Sequence, residues 1–276
     1  MNVTTVETTE TPYGLVETPI SLVEVGENEQ GRIVFGGGWT QDPEIMKQFQ
    51  IDLAKRHDYS SVGLSFFDTI DPTEEEEIEG SRMKKRADIL NYLGKNCLSQ
   101  MLPEPLAVLT HCAGANVLLL AMNQPEASGY FPTKRVLAEP MIVSGEKINY
   151  YTRAFLDHRQ RAERDNSLIN FMELRSDTGR STIAERGVRP MKDINFSNGI
   201  GLLATAVESA GDAADYTIVV GEDDPGAKTE DIEQALKAVN CNVPIVPYQG
   251  QKRFGHGYLL IEPEALETIV PLLRAS

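Results

Sequence analysis

The sequence predicts an α/β protein with a mostly parallel central sheet and helices on both of its faces. Short apolar segments typical of buried strands alternate with segments of helical periodicity along most of the 276 residues. One strand segment, 105–112, turns directly into a helical pattern at small residues. The alternation stops only between residues 145 and 201, which indicates an insertion into the core.

The first half of the chain contributes most of the predicted strands. Residues 14–25 alternate in polarity and predict one or two edge strands, whereas the Thr- and Glu-rich first ten residues predict a loose tail. Thr73 and Glu76 form a capping-box pattern at the start of a helix. The strands predicted in this half span 32–35, 61–67 and 105–112, and the helices span 43–56, 73–98 and 113–122.

The second half contains the predicted insertion. Between residues 145 and 200, ten Lys or Arg accompany eight Asp or Glu, a local charge of +2 in a chain whose formal charge is -15. We therefore predict a first core part (1–144), a helical lid (145–205) and a second core part (206–276). The remaining predicted elements are strands at 135–137, 216–220 and 243–248 and helices at 228–239 and 263–273.

Charge and composition exclude several classes of function. A net charge of -15 disfavours nucleic acid as a partner, because phosphates would be repelled. No run of 18 apolar residues and no basic, then apolar, N-terminus is present, so we expect neither a membrane span nor a signal peptide. The three cysteines lack metal-ligand spacing, so we expect no metal site and a reducing, cytoplasmic setting.

Four groups of polar or small residues follow predicted strands. They are Gly36 to Gly38, Cys112, the pair Asp223 and Asp224, and His256. Because the carboxyl ends of parallel strands meet at one edge of a sheet, we expect these groups to lie on one rim.

The residues in these groups resemble the α/β-hydrolase fold family over residues 16–273. Residues 110–114 are similar to its nucleophile elbow G-x-S-x-G, with Thr110 in the first Gly position and Cys112 in the Ser position. Residues 219–225 look like the family's acid turn, and residues 255–266 look like its His loop and final helix. The order nucleophile, acid, His is also the order of this family.

The resemblance implies a catalytic triad of Cys112, Asp224 and His256. A thiol attacks only as thiolate, so Cys112 needs His256 as a base, and an acid must orient the imidazole. Asp224 stands three positions after the Gly that ends its strand, as the family's acid does, while Asp223 and Glu139 are alternative acids.

The resemblance also implies an oxyanion hole and a reaction class. The amides of Ala113 and Gly37 are the expected donors to the oxyanion. The implied activity is hydrolysis of an ester, thioester or lactone of a small-molecule acyl substrate through an acyl-enzyme, without metal or cofactor. The alternatives are a lid-bearing carbon-carbon bond hydrolase, and a non-catalytic ligand-binding protein of the same fold, which the departures at Thr110 and Cys112 favour. A homodimer is one possible assembly.

Overall fold

The computed structural model describes residues 1–38, 43–66, 81–142, 198–211, 215–221, 224, 228–248 and 265–274. The strands in these ranges are β1 (Asn2–Val6), β2 (Thr9–Thr11), β3 (Gly14–Val16), β4 (Ile20–Glu24), β5 (Gly31–Gly37), β6 (Tyr59–Ser65), β7 (Ala107–His111), β8 (Lys134–Ala138), β9 (Asp215–Gly221) and β10 (Ile245–Tyr248). Eight of them form one sheet in the order β1-β4-β6-β5-β7-β8-β9-β10, and β2 pairs with β3 as a hairpin.

Six helices accompany the strands in the described part of the chain. They are α1 (Pro43–His57), α2 (Ser81–Leu93), α3 (Gly114–Met122), α4 (Gly199–Ala210), α5 (Thr229–Ala238) and α6 (Ala265–Leu273). A π-helical turn, Gly94–Leu98, and a short turn, Ser99–Met101, extend α2 towards β7.

The sheet is parallel from β6 to β10 and antiparallel only where β4 joins β6 and where β1 joins β4. Strand β5 has β6 on one side and β7 on the other. The chain therefore reverses its direction of winding between β5 and β7. In open α/β sheets, ligands bind beyond the carboxyl ends of the strands at such a reversal point.

Helices cover both faces of the sheet. Alternate strand residues point to opposite faces, so neighbours such as Val108 and Leu109 belong to different apolar clusters. One cluster joins the sheet to α1 and α6, and the other joins it to α2, α3, α4 and α5. Both neighbours in β7 are fully buried, so the strand that leads to Cys112 is held from both sides.

Where the predicted strands and helices of the core fall on described residues, they are confirmed with shifts of up to two residues at their ends. The first residues of the helices predicted at 73–98 and 263–273 lie outside the described residues. The N-terminus differs: β4 lies between β1 and β6, so the prediction of an edge strand there was wrong. Residues 2–6 form β1 and pair with β4, so the expectation of a loose tail was wrong. The capping box at Thr73 and Glu76 and most of the predicted lid lie outside the described residues. Helix α4 runs across the predicted boundary at residue 205. Among the described helices, none is long and apolar enough to cross a membrane.

Candidate active site

Cys112 occupies a sharp turn between β7 and α3. Its backbone is left-handed, with φ +55°, which a residue with a side chain rarely adopts. The turn is held because the Cys112 amide donates to Ala138 O at 3.1 Å, while Cys112 O accepts the amide of Ala115 at 3.3 Å. Strained residues of this kind persist where their surroundings fix them, and they cluster at active sites.

Two glycines allow the backbone after β5 to approach this turn. A Cβ at Gly38 would lie 2.5 Å from Cys112 Cβ and 3.1 Å from the amide nitrogen of Ala113. A Cβ at Gly114 would lie 2.5 Å from Gly37 O. Neither position has space for a side chain, so the contact between the glycine segment and the elbow requires both glycines.

The two expected oxyanion donors lie on either side of this contact. Ala113 directly follows Cys112 and precedes α3, and Gly37 is the last residue of β5. The carbonyl oxygens of the glycine segment are already engaged, because Gly37 O accepts the Phe66 amide at 2.9 Å and Gly38 O accepts Ser65 Oγ at 2.9 Å. These bonds set the orientation of the peptide groups next to Cys112.

Asp224 lies just beyond the end of β9. Its side chain is 1% exposed, and its amide donates to Gly221 O at 3.1 Å, which closes a turn after the strand. β9 is separated from β7 by β8 alone, so the turn stands on the same edge of the sheet as the elbow. Asp223 and His256 lie outside the described residues.

A buried pair of ionisable side chains lies beside the elbow. Nε2 of His111, the last residue of β7, is 2.9 Å from Oε2 of Glu139, which follows β8. The two residues are 2% and 1% exposed. Glu139 has a left-handed backbone, with φ +46°, and its amide donates to Val219 O at 2.7 Å. The alternative acid Glu139 is thus in contact with a histidine other than His256.

Met141 covers the thiol of Cys112. Its Sδ lies 3.2 Å from Cys112 Sγ, and its side chain is buried. The backbone of Met141 is held on both sides, because its amide donates to Cys112 O at 3.4 Å and its carbonyl accepts Asn116 Nδ2 at 3.2 Å. A group bonded to Sγ would therefore meet the Met141 thioether.

Sequence reasoning placed Cys112, Glu139 and Asp224 at strand ends, and the structure brings these three strand ends to one edge. Sequence reasoning did not assign roles to His111, Met141 or Gly38. Residue 38 belongs to the glycine run 36–38, and His111 directly precedes the predicted nucleophile. Met141 carried no local signal, because its approach to the thiol depends on how β7 and β8 pair.

The other two cysteines lie apart from this edge. All three cysteines are free thiols, and Cys97 and Cys241 are half-buried. Burial raises the pKa of the Cys97 thiol and that of the Cys241 thiol above the ordinary value. At neutral pH we therefore expect these two residues to react slowly with electrophiles, since the thiolate is the reactive form.

Neither a protein-family model nor a curated protein matches the chain, whereas many solved structures do. The thioesterase domain from the curacin biosynthetic pathway is 15% identical, with 98% of this chain and 100% of that chain covered and a TM-score of 0.60. An N-formylmaleamic acid deformylase from Pseudomonas putida is 17% identical, with coverage of 98% and 100% and a TM-score of 0.58.

A third structure extends the range of reactions among these neighbours. The 2-hydroxy-6-oxo-6-phenylhexa-2,4-dienoate hydrolase from Rhodococcus sp. is 14% identical, with 99% of this chain and 100% of that chain covered and a TM-score of 0.58. At such low identity the likeness concerns the fold. Together with the mostly parallel sheet and the strand-to-helix elbow, it shows that the chain has the α/β-hydrolase fold.

Proposed function

We propose that the chain is a hydrolase of carboxylic esters, thioesters or lactones that works through an acyl-enzyme on Cys112. The observation that carries the proposal is the left-handed backbone of Cys112 at the end of β7, with Gly38 packed directly against it. This turn presents a side chain at the edge of the sheet where ligands bind in this type of fold. A thioesterase domain and two other hydrolytic enzymes with the same fold support an acyl-transfer reaction.

The proposed reaction has two steps. His256 takes the thiol proton, and the Cys112 sulfur attacks the carbonyl carbon of the substrate, so that a carbon-sulfur bond forms and the carbonyl oxygen becomes an oxyanion. The amides of Ala113 and Gly37 stabilise that oxyanion. Collapse expels the alcohol or thiol, which takes its proton from His256. Water, deprotonated by the same imidazole, then cleaves the acyl-sulfur bond and restores the thiol.

Asp224 is the proposed acid of the triad. Its carboxyl is buried at the turn after β9, where it could accept a hydrogen bond from the ring of His256. Glu139 is the weaker candidate because its carboxylate already contacts His111 at 2.9 Å. Asp223 remains the other alternative. If Asp224 is the acid, Asp224→Asn should lower kcat by about 10⁴-fold, whereas the same change at residue 223 should have little effect.

The cover over the thiol favours one second candidate, a ligand-binding protein without turnover. Cys112 is 6% exposed and Met141 contacts its sulfur, so binding of a ligand without catalysis is the competing function. A carbon-carbon bond hydrolase is the other alternative, which the similarity to the dienoate hydrolase suggests. Both would place their ligand beside the elbow, and a panel of substrates separates them.

The test compares hydrolysis by the wild type, Cys112→Ala and a matched control in which Cys97 and Cys241 are both changed to Ser. The panel contains p-nitrophenyl esters of increasing acyl length, an acyl thioester and a vinylogous 1,5-diketone. We expect turnover of the esters and thioester, a loss of at least about a thousandfold in Cys112→Ala, and wild-type rates in the control. Iodoacetamide should inactivate the control at one site.

Three results would contradict the proposal. Equal rates of ester hydrolysis by the wild type and Cys112→Ala would exclude an acyl-enzyme on Cys112. Cleavage of the diketone alone would assign the chain to the carbon-carbon bond hydrolases. Saturable binding of a fluorescent acyl ligand, with no turnover of any substrate, would support the ligand-binding protein.

A further inference from the structure

The His111 and Glu139 side chains form a buried pair that the proposed reaction does not use. They come from adjacent strands, since His111 is in register with Ala138 and Glu139 follows directly. Nε2 and Oε2 are 2.9 Å apart, and both side chains are almost fully buried. Ionisable groups are rarely buried to this degree without a partner, because an unpaired buried charge is costly. Separating the two groups would therefore cost free energy, and each side chain restricts the position of the other.

The backbone around the pair is also constrained. Glu139 has φ +46° and Cys112, next to His111, has φ +55°. Two left-handed residues other than glycine, Cys112 and Glu139, therefore lie at adjacent strand ends. The pair joins Glu139 to His111, which directly precedes Cys112. Conformations of this kind persist only where the surroundings determine them, and the pair is part of those surroundings.

The carboxylate of Glu139 reaches the third strand end as well. Its Oε1 lies 3.1 Å from the position that a Cβ at Gly221 would take, so the carboxylate fills the space beside the last residue of β9. Gly221 O accepts the amide of Asp224, and the Glu139 amide donates to Val219 O. One side chain thus contacts the residue before the nucleophile and the residue that opens the acid turn.

We propose that His111 and Glu139 are positioning residues that hold the nucleophile elbow and the acid turn in register across the ends of β7, β8 and β9. Their role in turnover rests on the proposed function, whereas their role in holding the strand ends does not. Loss of the pair would let the two turns shift relative to each other, and a displacement of 1 Å at a reacting centre lowers a rate by about a hundredfold.

The test replaces both partners with apolar residues of similar size, in the double variant His111→Leu/Glu139→Met. Replacing a whole buried pair is often neutral for stability, so this variant separates positioning from stability better than either single change. The matched control removes the pair of Lys134 and Asp215, whose Nζ and Oδ2 are 2.9 Å apart and which joins β8 to β9 at the other end of the same strands. Its variant is Lys134→Gln/Asp215→Asn.

Two readouts are compared. For ester or thioester turnover, we expect kcat of the double variant to fall by about tenfold to a hundredfold with KM changed by less than about threefold, and the control to match the wild type. For amide hydrogen exchange, we expect the amides of Cys112 and Glu139, which donate to Ala138 O and Val219 O, to exchange at least about tenfold faster in the double variant only.

Exchange at the wild-type rate in a folded double variant would overturn the inference, as would a wild-type kcat. If the wild type hydrolyses no substrate, the proposed function has failed and the exchange rates alone decide this inference. The single variants Glu139→Gln and His111→Gln cover the case in which the double variant does not fold. Both variants keep a side-chain amide that can form a hydrogen bond. A hundredfold loss of kcat in Glu139→Gln, with full activity in His111→Gln, would overturn the positioning role of the pair. It would instead assign Glu139 as the acid of the triad.

Discussion

Replacing Gly38 with Ala tests whether the glycine segment must touch the elbow. The new Cβ would lie 2.5 Å from Cys112 Cβ, 2.9 Å from His111 O and 3.1 Å from Ala113 N. Carbon atoms in contact are about 3.5 Å apart, so the segment would have to withdraw from Cys112 by about 1 Å. Such a shift would carry the neighbouring amide of Gly37, which is a proposed oxyanion donor, away from the elbow.

The structure sets the size of the two expected effects. Overpacking of this kind lowers the free energy of unfolding by about 1–3 kcal/mol, so the variant should still fold. A displacement of 1 Å at the reacting centre should lower kcat/KM by about a hundredfold. The effect on activity should therefore exceed the effect on stability, because the new methyl group would lie against Cys112, the proposed nucleophile.

The assay measures kcat/KM with p-nitrophenyl acetate and the free energy of unfolding in urea. Gly129→Ala is the matched control, because residue 129 is exposed and a Cβ there would have no heavy atom within 4 Å. The control should keep wild-type activity and stability. A folded Gly38→Ala variant whose kcat/KM is within about twofold of the wild type would refute the reasoning, since the oxyanion site would then tolerate the displacement.

Three further predictions follow from buried atoms. The Thr110 hydroxyl is buried without a hydrogen-bond partner among the described residues, so Thr110→Val should raise the free energy of unfolding in urea by about 1 kcal/mol, and a decrease would be contrary to this. The raised thiol pKa of Cys97 and Cys241 means that fewer thiolates exist at a given pH, so their alkylation, followed by peptide mass spectrometry, should be slow at pH 7 and accelerate only in alkaline solution; rapid labelling at pH 7 would argue against their burial. Met141→Ala should shift the kcat/KM profile towards longer acyl chains, by about fourfold for each methylene accommodated, and an unchanged profile would place the acyl group elsewhere.

Local patterns in the sequence predicted the core because apolar periodicity is a property of neighbouring residues. The strand before Cys112 and the helix after it were located within two residues of their observed ends. The same approach missed β1, although four of residues 2–6 are β-branched and favour a strand. The pairing of β1 with β4 joins residues about 20 positions apart, and a local pattern does not contain it.

In the candidate site too, local features were predictable from the sequence, whereas contacts between distant segments were not. The position of Cys112 at a strand-to-helix turn was predictable because such a turn needs small residues, and Gly114 meets that need. The contact between His111 and Glu139, by contrast, depends on the register of β7 against β8 and on an unusual backbone angle at Glu139. Neither the strand register nor this backbone angle can be read from a short stretch of sequence. Glu139 was therefore predicted only as an alternative acid.

The most direct measurement of the central claim is the intact mass of the protein, quenched while it turns over a p-nitrophenyl ester, followed by peptide mapping. We expect one acyl group on the peptide that contains Cys112, absent in Cys112→Ala and much reduced in His256→Ala. Release of product by the wild type with no acyl group on that peptide, or acylation that does not depend on His256, would contradict the mechanism.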